Sequence, residues 1–147
     1  MLGTWCFDNH PPLEGFEMER TNFEKLRVYQ LSEQLADEIW EIVLGWTFFA
    51  RITVGKQLVS AADSVGANIS EGAGRGRFLD NKRFVRIARG SLNETQHWLR
   101  RAYKRSLLTK QQIDCLKPLI EELAPTLNAY LKSIGDVSEK RPSNRST

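Results

Sequence analysis

The sequence predicts an all-α fold, an antiparallel four-helix bundle. Three observations point there. Apolar residues recur at steps of three and four in four separate stretches, each long enough for a helix. Nothing reads as a strand. The connections between the stretches are short, so successive helices must fold back against one another. One domain suits 147 residues, and a chain of that length can bury a core without staples. Hydrophobic content of 41% and charged content of 27% are ordinary for a soluble globular protein. No apolar run is long enough for a membrane span, and the N-terminus lacks the pattern of a secretory signal. Cys6 and Cys115 stand far apart with no Cys-x-x-Cys spacing, which argues against a disulfide or a zinc site and for a reducing cytoplasm.

Residues 1–20 have no clear period and contain Pro11, Pro12 and Gly15, so they read as a flexible arm. Met18 falls just before the first capping signal, which leaves translation from an upstream start as another origin for the arm. The bundle is expected over residues 21–134. Helix one begins near Thr21 or Asn22, where Thr21 and Glu24 match a capping box. Leu31, Leu35, Ile39 and Ile42 form its apolar stripe, and Gly45 is its expected stop. Trp46 to Ile52 reads as an aromatic-rich connection.

Helix two is expected from about Thr53 to Glu71, with Leu58, Ala62, Val65 and Ile69 as its stripe. Ala61, Ser64, Gly66, Ala67 and Ser70 make it small-sided. Gly66 costs helix propensity, which close packing by another helix would explain. Gly72, Gly74 and Gly76 end it, with Gly72 expected as the left-handed cap. Helix three runs from Phe78 or Asp80 to Leu107, with Gly90 an interior weak point. Helix four starts at Thr109, which with Gln112 makes a second capping box. Ile113, Leu116, Leu119 or Ile120, Leu123, Leu127 and Leu131 line its core side. Pro118 and Pro125 interrupt the pattern, so either a kinked helix or a short helix followed by a second one from Pro118 is expected. Residues 135–147 are polar and read as a disordered tail.

The charge is sorted. From Arg75 to Arg105 there are ten basic residues and two acids, Asp80 and Glu94. That stretch carries +8 in a chain of net +3, so the remaining residues carry −5. At about 100° per residue, Lys82, Arg86, Arg89, Asn93, His97, Arg100 and Lys104 share one face of helix three. Phe84, Ala88, Leu92, Thr95, Leu99 and Ala102 share the other. A surface kept for solubility mixes its signs, whereas clustered cations suit phosphate. The nucleic-acid-binding candidates are therefore Arg86, Arg89, Arg100 and Lys104, then Lys82 and Arg101, with Arg75 and Arg77 in the loop before the helix. The competing reading pairs this face with Glu33, Asp37, Glu38 and Glu41 of a neighbouring subunit, or with an acidic protein partner.

Other motifs carry less. Asn68, Glu71 and Gly72 read as a structural motif at the end of helix two that sets the turn into the basic helix. Gly72-x-Gly74-x-Gly76 lacks the strand and the Gly-Lys-Ser/Thr ending of a phosphate loop. Glu94-x-x-His97 is a single copy of a motif that di-iron bundles use twice, and His97 falls on the basic face, so no metal is expected. With two histidines in the chain, no nucleophile–base set is credible, and the expectation is a non-enzymatic protein without cofactors. Trp40, Trp46, Phe48 and Phe49 read as core or subunit interface, and Trp98 as packing.

The string Ser64-Val-Gly-Ala-Asn-Ile-Ser-Glu-Gly-Ala-Gly-Arg75, followed by Phe84-Val-Arg-Ile-Ala-Arg-Gly-Ser-Leu-Asn-Glu94 and preceded by Phe23-Glu-Lys-Leu-Arg-Val-Tyr29, resembles the bacterial 23S rRNA intervening-sequence proteins. That family includes the accessory variability determinant of diversity-generating retroelements. The resemblance covers roughly residues 22–134. It implies a four-helix bundle assembled as a ring-shaped homopentamer with a basic surface for RNA or DNA. In the retroelement members it also implies a reverse transcriptase as partner. The chain departs from the family's usual pattern at Gly66, where proline is common, and in Pro118 and Pro125.

Overall fold

The computed structural model describes residues 26–135, and within them every regular element is helical. Four long helices, α1 (Arg27–Leu44), α2 (Lys56–Ala73), α3 (Phe78–Lys104) and α4 (Lys110–Ser133), pack around one core. α1 packs on α2 and α4, and α3 packs on α2 and α4, so the four helices form a square with α1 and α3 at opposite corners.

Most of the predicted stripe residues are buried, whereas Ile42, Ile113 and Leu131 are half-buried and on α3 Val85 is buried in place of Phe84. Leu31, Leu35 and Ile39 of α1, Leu58, Ala62, Val65 and Ile69 of α2, and Leu116, Leu119, Leu123 and Leu127 of α4 are all buried. α3 adds Ala88, Leu92, Thr95, Leu99 and Ala102. Because each stripe faces one shared interior, apolar burial holds helices that would be marginal alone.

Several boundaries differ from expectation. α1 starts at Arg27 after an extended Leu26 that makes no side-chain cap, and the Thr21–Glu24 capping box lies outside the described residues, as do the arm over 1–20 and the tail beyond Gly135. Gly45 does end α1, donating its N–H to Ile42 O. The stretch after it is no open connection. Phe48–Ala50 forms one helical turn, capped by Thr47, and Arg51–Gly55 is a π-helix running straight into α2. A Cβ on Gly55 would lie 2.7 Å from Val43 Cγ1, so this glycine lets the π-turn sit against the end of α1.

Gly72 is not a left-handed cap. It lies inside α2 and is buried, and a Cβ there would come within 2.6 Å of Asn81 Oδ1 and 3.1 Å of Asn81 O. Its role is close approach of α2 to the start of α3. Gly74 is the C-cap with right-handed φ, and the positive φ falls on Gly76 at 72°. α3 ends at Lys104 rather than Leu107, with Ser106 at φ 60° turning the chain.

α4 runs unbroken through Pro118 and Pro125. The two prolines are seven residues apart and both are exposed, as are Asp114 and Glu121, whose carbonyls lose their helical donors. Water can satisfy those carbonyls, while the leucines on the opposite face hold the helix to the core. Cys115 is disulfide-bonded, contrary to the expectation from cysteine spacing. Its partner lies outside the described residues.

Candidate nucleic-acid interface

α3 is the longest helix, and its sequence divides it lengthwise. Its buried side faces α2 and the core. Its other side carries Arg86, Arg89, Asn93, His97, Arg100 and Lys104, all exposed, with Lys82 and Arg101 half-buried at the margins. Among the described residues, none of the six α3 cations named as candidates forms an ion pair. Ion pairs form elsewhere, among them Arg27 with Glu122 at 2.7 Å, Arg75 with Glu71 at 2.7 Å, and Lys117 with Glu121 at 3.8 Å. Arg89 has one neutral partner, donating from Nη1 to Asn128 Oδ1 at 3.5 Å. Six cations with no carboxylate partner among the described residues leave a positive field along the helix.

The same face continues onto α4. A groove of about 780 Å³ runs between the C-terminal half of α3 and the start of α4. Leu99, Leu108, Leu116 and Ile120 floor it, and Arg100, Lys104, Lys110 and Lys117 line it with Asp114 and Glu121. Arg100 and Lys104 therefore share a groove with Lys110, whereas Lys117 in the same groove is paired with Glu121.

The α2–α3 junction is a structural network. Asn68 Nδ2 donates to Ser64 O at 2.7 Å and to Ser64 Oγ at 2.9 Å, and Ser91 Oγ donates to Ser64 Oγ at 3.0 Å. That chain of bonds fastens the middle of α3 to α2. Glu71 holds Arg75, whose guanidinium carbon stands 5.0 Å from the centre of the Phe84 ring, and Arg83 stands 5.1 Å from it. The structure thus brings Asn68 together with Ser64 and Ser91, and Glu71 with Arg75, while Gly72 lets the helices meet. Arg77 is exposed at the N-cap of α3, apart from this network.

Glu94 and His97 do not converge on a common point. Glu94 Oε1 accepts from Trp98 Nε1 at 3.3 Å, and the His97 ring meets the Trp98 ring edge-on at 4.9 Å. Trp98 is half-buried and packs on the core. Among the described residues no three His, Cys, Asp or Glu side chains cluster as metal ligands would, and no helix is long and apolar enough to cross a membrane. On the α1–α2 side, Asp37 and Asp63 line a smaller pocket. Partial burial, and then the nearby Asp37 charge, push the Asp63 carboxyl above the usual carboxylate range.

Against this geometry, a family model described as 23S rRNA-intervening sequence protein matches residues 24–129. The chain belongs to that family. A crystal structure of a protein of unknown function from the S23 ribosomal protein family, from Bacteroides thetaiotaomicron, superposes with a TM-score of 0.64 at 23% identity. The match covers 72% of this chain and 99% of that one, and it establishes the fold alone. No curated protein matches the chain.

The sequence reading missed one pair of cations and left the aromatic connection open between two readings. Lys110 and Lys117, seven apart on α4, were not among the candidate cations, although their spacing places them on one face. The aromatic connection was assigned to core or interface, yet Phe48 is 69% exposed and Phe49 75%, with Leu44 and Ile52 about half exposed beside them in sequence. These residues are not core.

Proposed function

We propose that this protein is a non-enzymatic, nucleic-acid-binding helical bundle that works as a homo-oligomer. One observation carries the reading: the cations along α3 are exposed and have no carboxylate partner among the described residues. An anionic polymer is the ligand that such a row fits, because each phosphate it neutralises releases a condensed counterion. Nothing on the face is arranged to read bases, so recognition is of charge and shape, as in structured RNA or an RNA–DNA hybrid. The exposed Leu44, Phe48, Phe49 and Ile52 support assembly, since large apolar side chains seldom stay in water without a partner surface. A pentameric ring, as the family resemblance implies, would repeat the basic helix five times and multiply its affinity by avidity. A reverse transcriptase with its template is the ligand this reading gives if the protein serves a retroelement.

Charge reversal tests this. Replacing Arg86, Arg89 and Arg100 with Glu should abolish binding of structured RNA and duplex DNA while the oligomer keeps its mass. Milder Gln replacements should lower the slope of log affinity against log salt by about 3. If the Glu variant instead falls to monomers, the face is a subunit interface and the proposal fails.

A further inference from the structure

We infer that Gly90 is the point at which the sugar–phosphate backbone of the bound nucleic acid comes against α3. The inference rests on the reading of the basic face given above and adds where on that face the ligand sits.

Inside a helix a glycine is less favourable than alanine, so each one needs a reason. Three of the helical glycines have it within the chain. A Cβ would stand 2.7 Å from Val43 at Gly55, 2.9 Å from Ser32 Oγ at Gly66, and 2.6 Å from Asn81 Oδ1 at Gly72. Gly90 has none. A Cβ there would meet nothing within 4 Å, its φ is not positive, and α3 runs straight through it. Gly90 is exposed at mid-helix.

Its surroundings say what comes close. The residues four before and three and seven after it on the helix are Arg86, Asn93 and His97, and Arg83 lies seven before. All four are exposed, and Arg89 adjoins. The one carboxylate at helical spacing, Glu94, accepts from Trp98. Glu94 keeps its negative charge there and Ile87 stands three before, so Arg83, Arg86 and Arg89 less Glu94 leave a net charge of +2 around a gap without a side chain. A phosphate chain settling there sits nearer every flanking guanidinium than it would over any larger residue, and Coulomb attraction grows as the distance falls. The helix's own N–H groups are already used, so the glycine contributes proximity and no bond. A second copy of the chain is the competing occupant, and the half-exposed Ile87 on the next flank would suit it. The density of unpaired positive charge favours the anion.

Gly90→Ala and Gly90→Leu variants of the full chain test this with three readouts: melting temperature, oligomer mass, and binding of structured RNA and duplex DNA at low salt. Both substitutions should raise Tm, by about 2–4 °C, because they improve helix propensity and clash with nothing. Gly90→Leu should weaken binding at least tenfold with oligomer mass unchanged, and Gly90→Ala should weaken it less. A Gly90→Leu variant that binds as tightly as the wild type overturns this inference and leaves the proposed function standing. Loss of oligomer mass overturns it in favour of a second copy. Failure of the wild type itself to bind overturns both.

Discussion

Gly66 shows how a single residue sets the spacing of the bundle. A Cβ there would lie 2.9 Å from Ser32 Oγ and 3.6 Å from Tyr29 Cε2, so α1 and α2 meet at a distance only glycine permits. Ser32 is buried and its hydroxyl donates to Tyr29 O at 2.6 Å, so it cannot turn aside without breaking that bond. Gly66→Leu should therefore destabilise the fold by about 3 kcal/mol, at the upper end of overpacking costs. Chemical denaturation would measure it, and an equally stable variant would mean that the helices slide apart freely. The small residues around Gly66 announce this contact. It misassigned Gly72, because a glycine near a helix end serves capping and close approach alike, and only the position of Asn81 separates the two.

At the scale of the element, periodicity located all four helices and their buried faces, since burial itself imposes the period. Caps were readable where they are side-chain chemistry. Thr109 Oγ1 accepts from Gln112 N at 3.1 Å, and Gln112 Oε1 accepts from Thr109 N at 3.0 Å, as the Thr-x-x-Gln spacing predicts. Thr109→Ala should cost about 1 kcal/mol, seen as a lower denaturation midpoint with an unchanged slope. What composition does not encode was missed. The π-helix at Arg51–Gly55 inserts no marker residue, and its reason is a tertiary contact with Val43. Pro118 and Pro125 looked like breaks because local rules weigh the lost hydrogen bonds and not the four buried leucines that hold α4 on the core.

Taken whole, the molecule separates its charges. α3 carries the unpaired cations at one corner of the square, and α1 at the opposite corner carries Asp37 and Glu41 on its exposed side. The lopsided charge was visible in the sequence as +8 within residues 75–105. Whether those cations are neutralised inside the chain is not visible in the sequence, because the period of a helix does not say which acids of the other helices lie beside it. Their absence from α3's ion pairs among the described residues turns a compositional excess into an exposed basic surface. That Lys110 lines one groove with Arg100 and Lys104 depends on how α3 packs on α4, which no periodicity reveals.

The central claim is that this surface binds phosphate. Its most direct test is the affinity of nuclease-treated protein for structured RNA and for duplex DNA between about 50 and 200 mM salt. The account predicts tight binding at the lower concentration and a loss of about 100-fold or more at the higher, as release of several counterions requires. No binding at the lower concentration, or binding indifferent to salt, would contradict it.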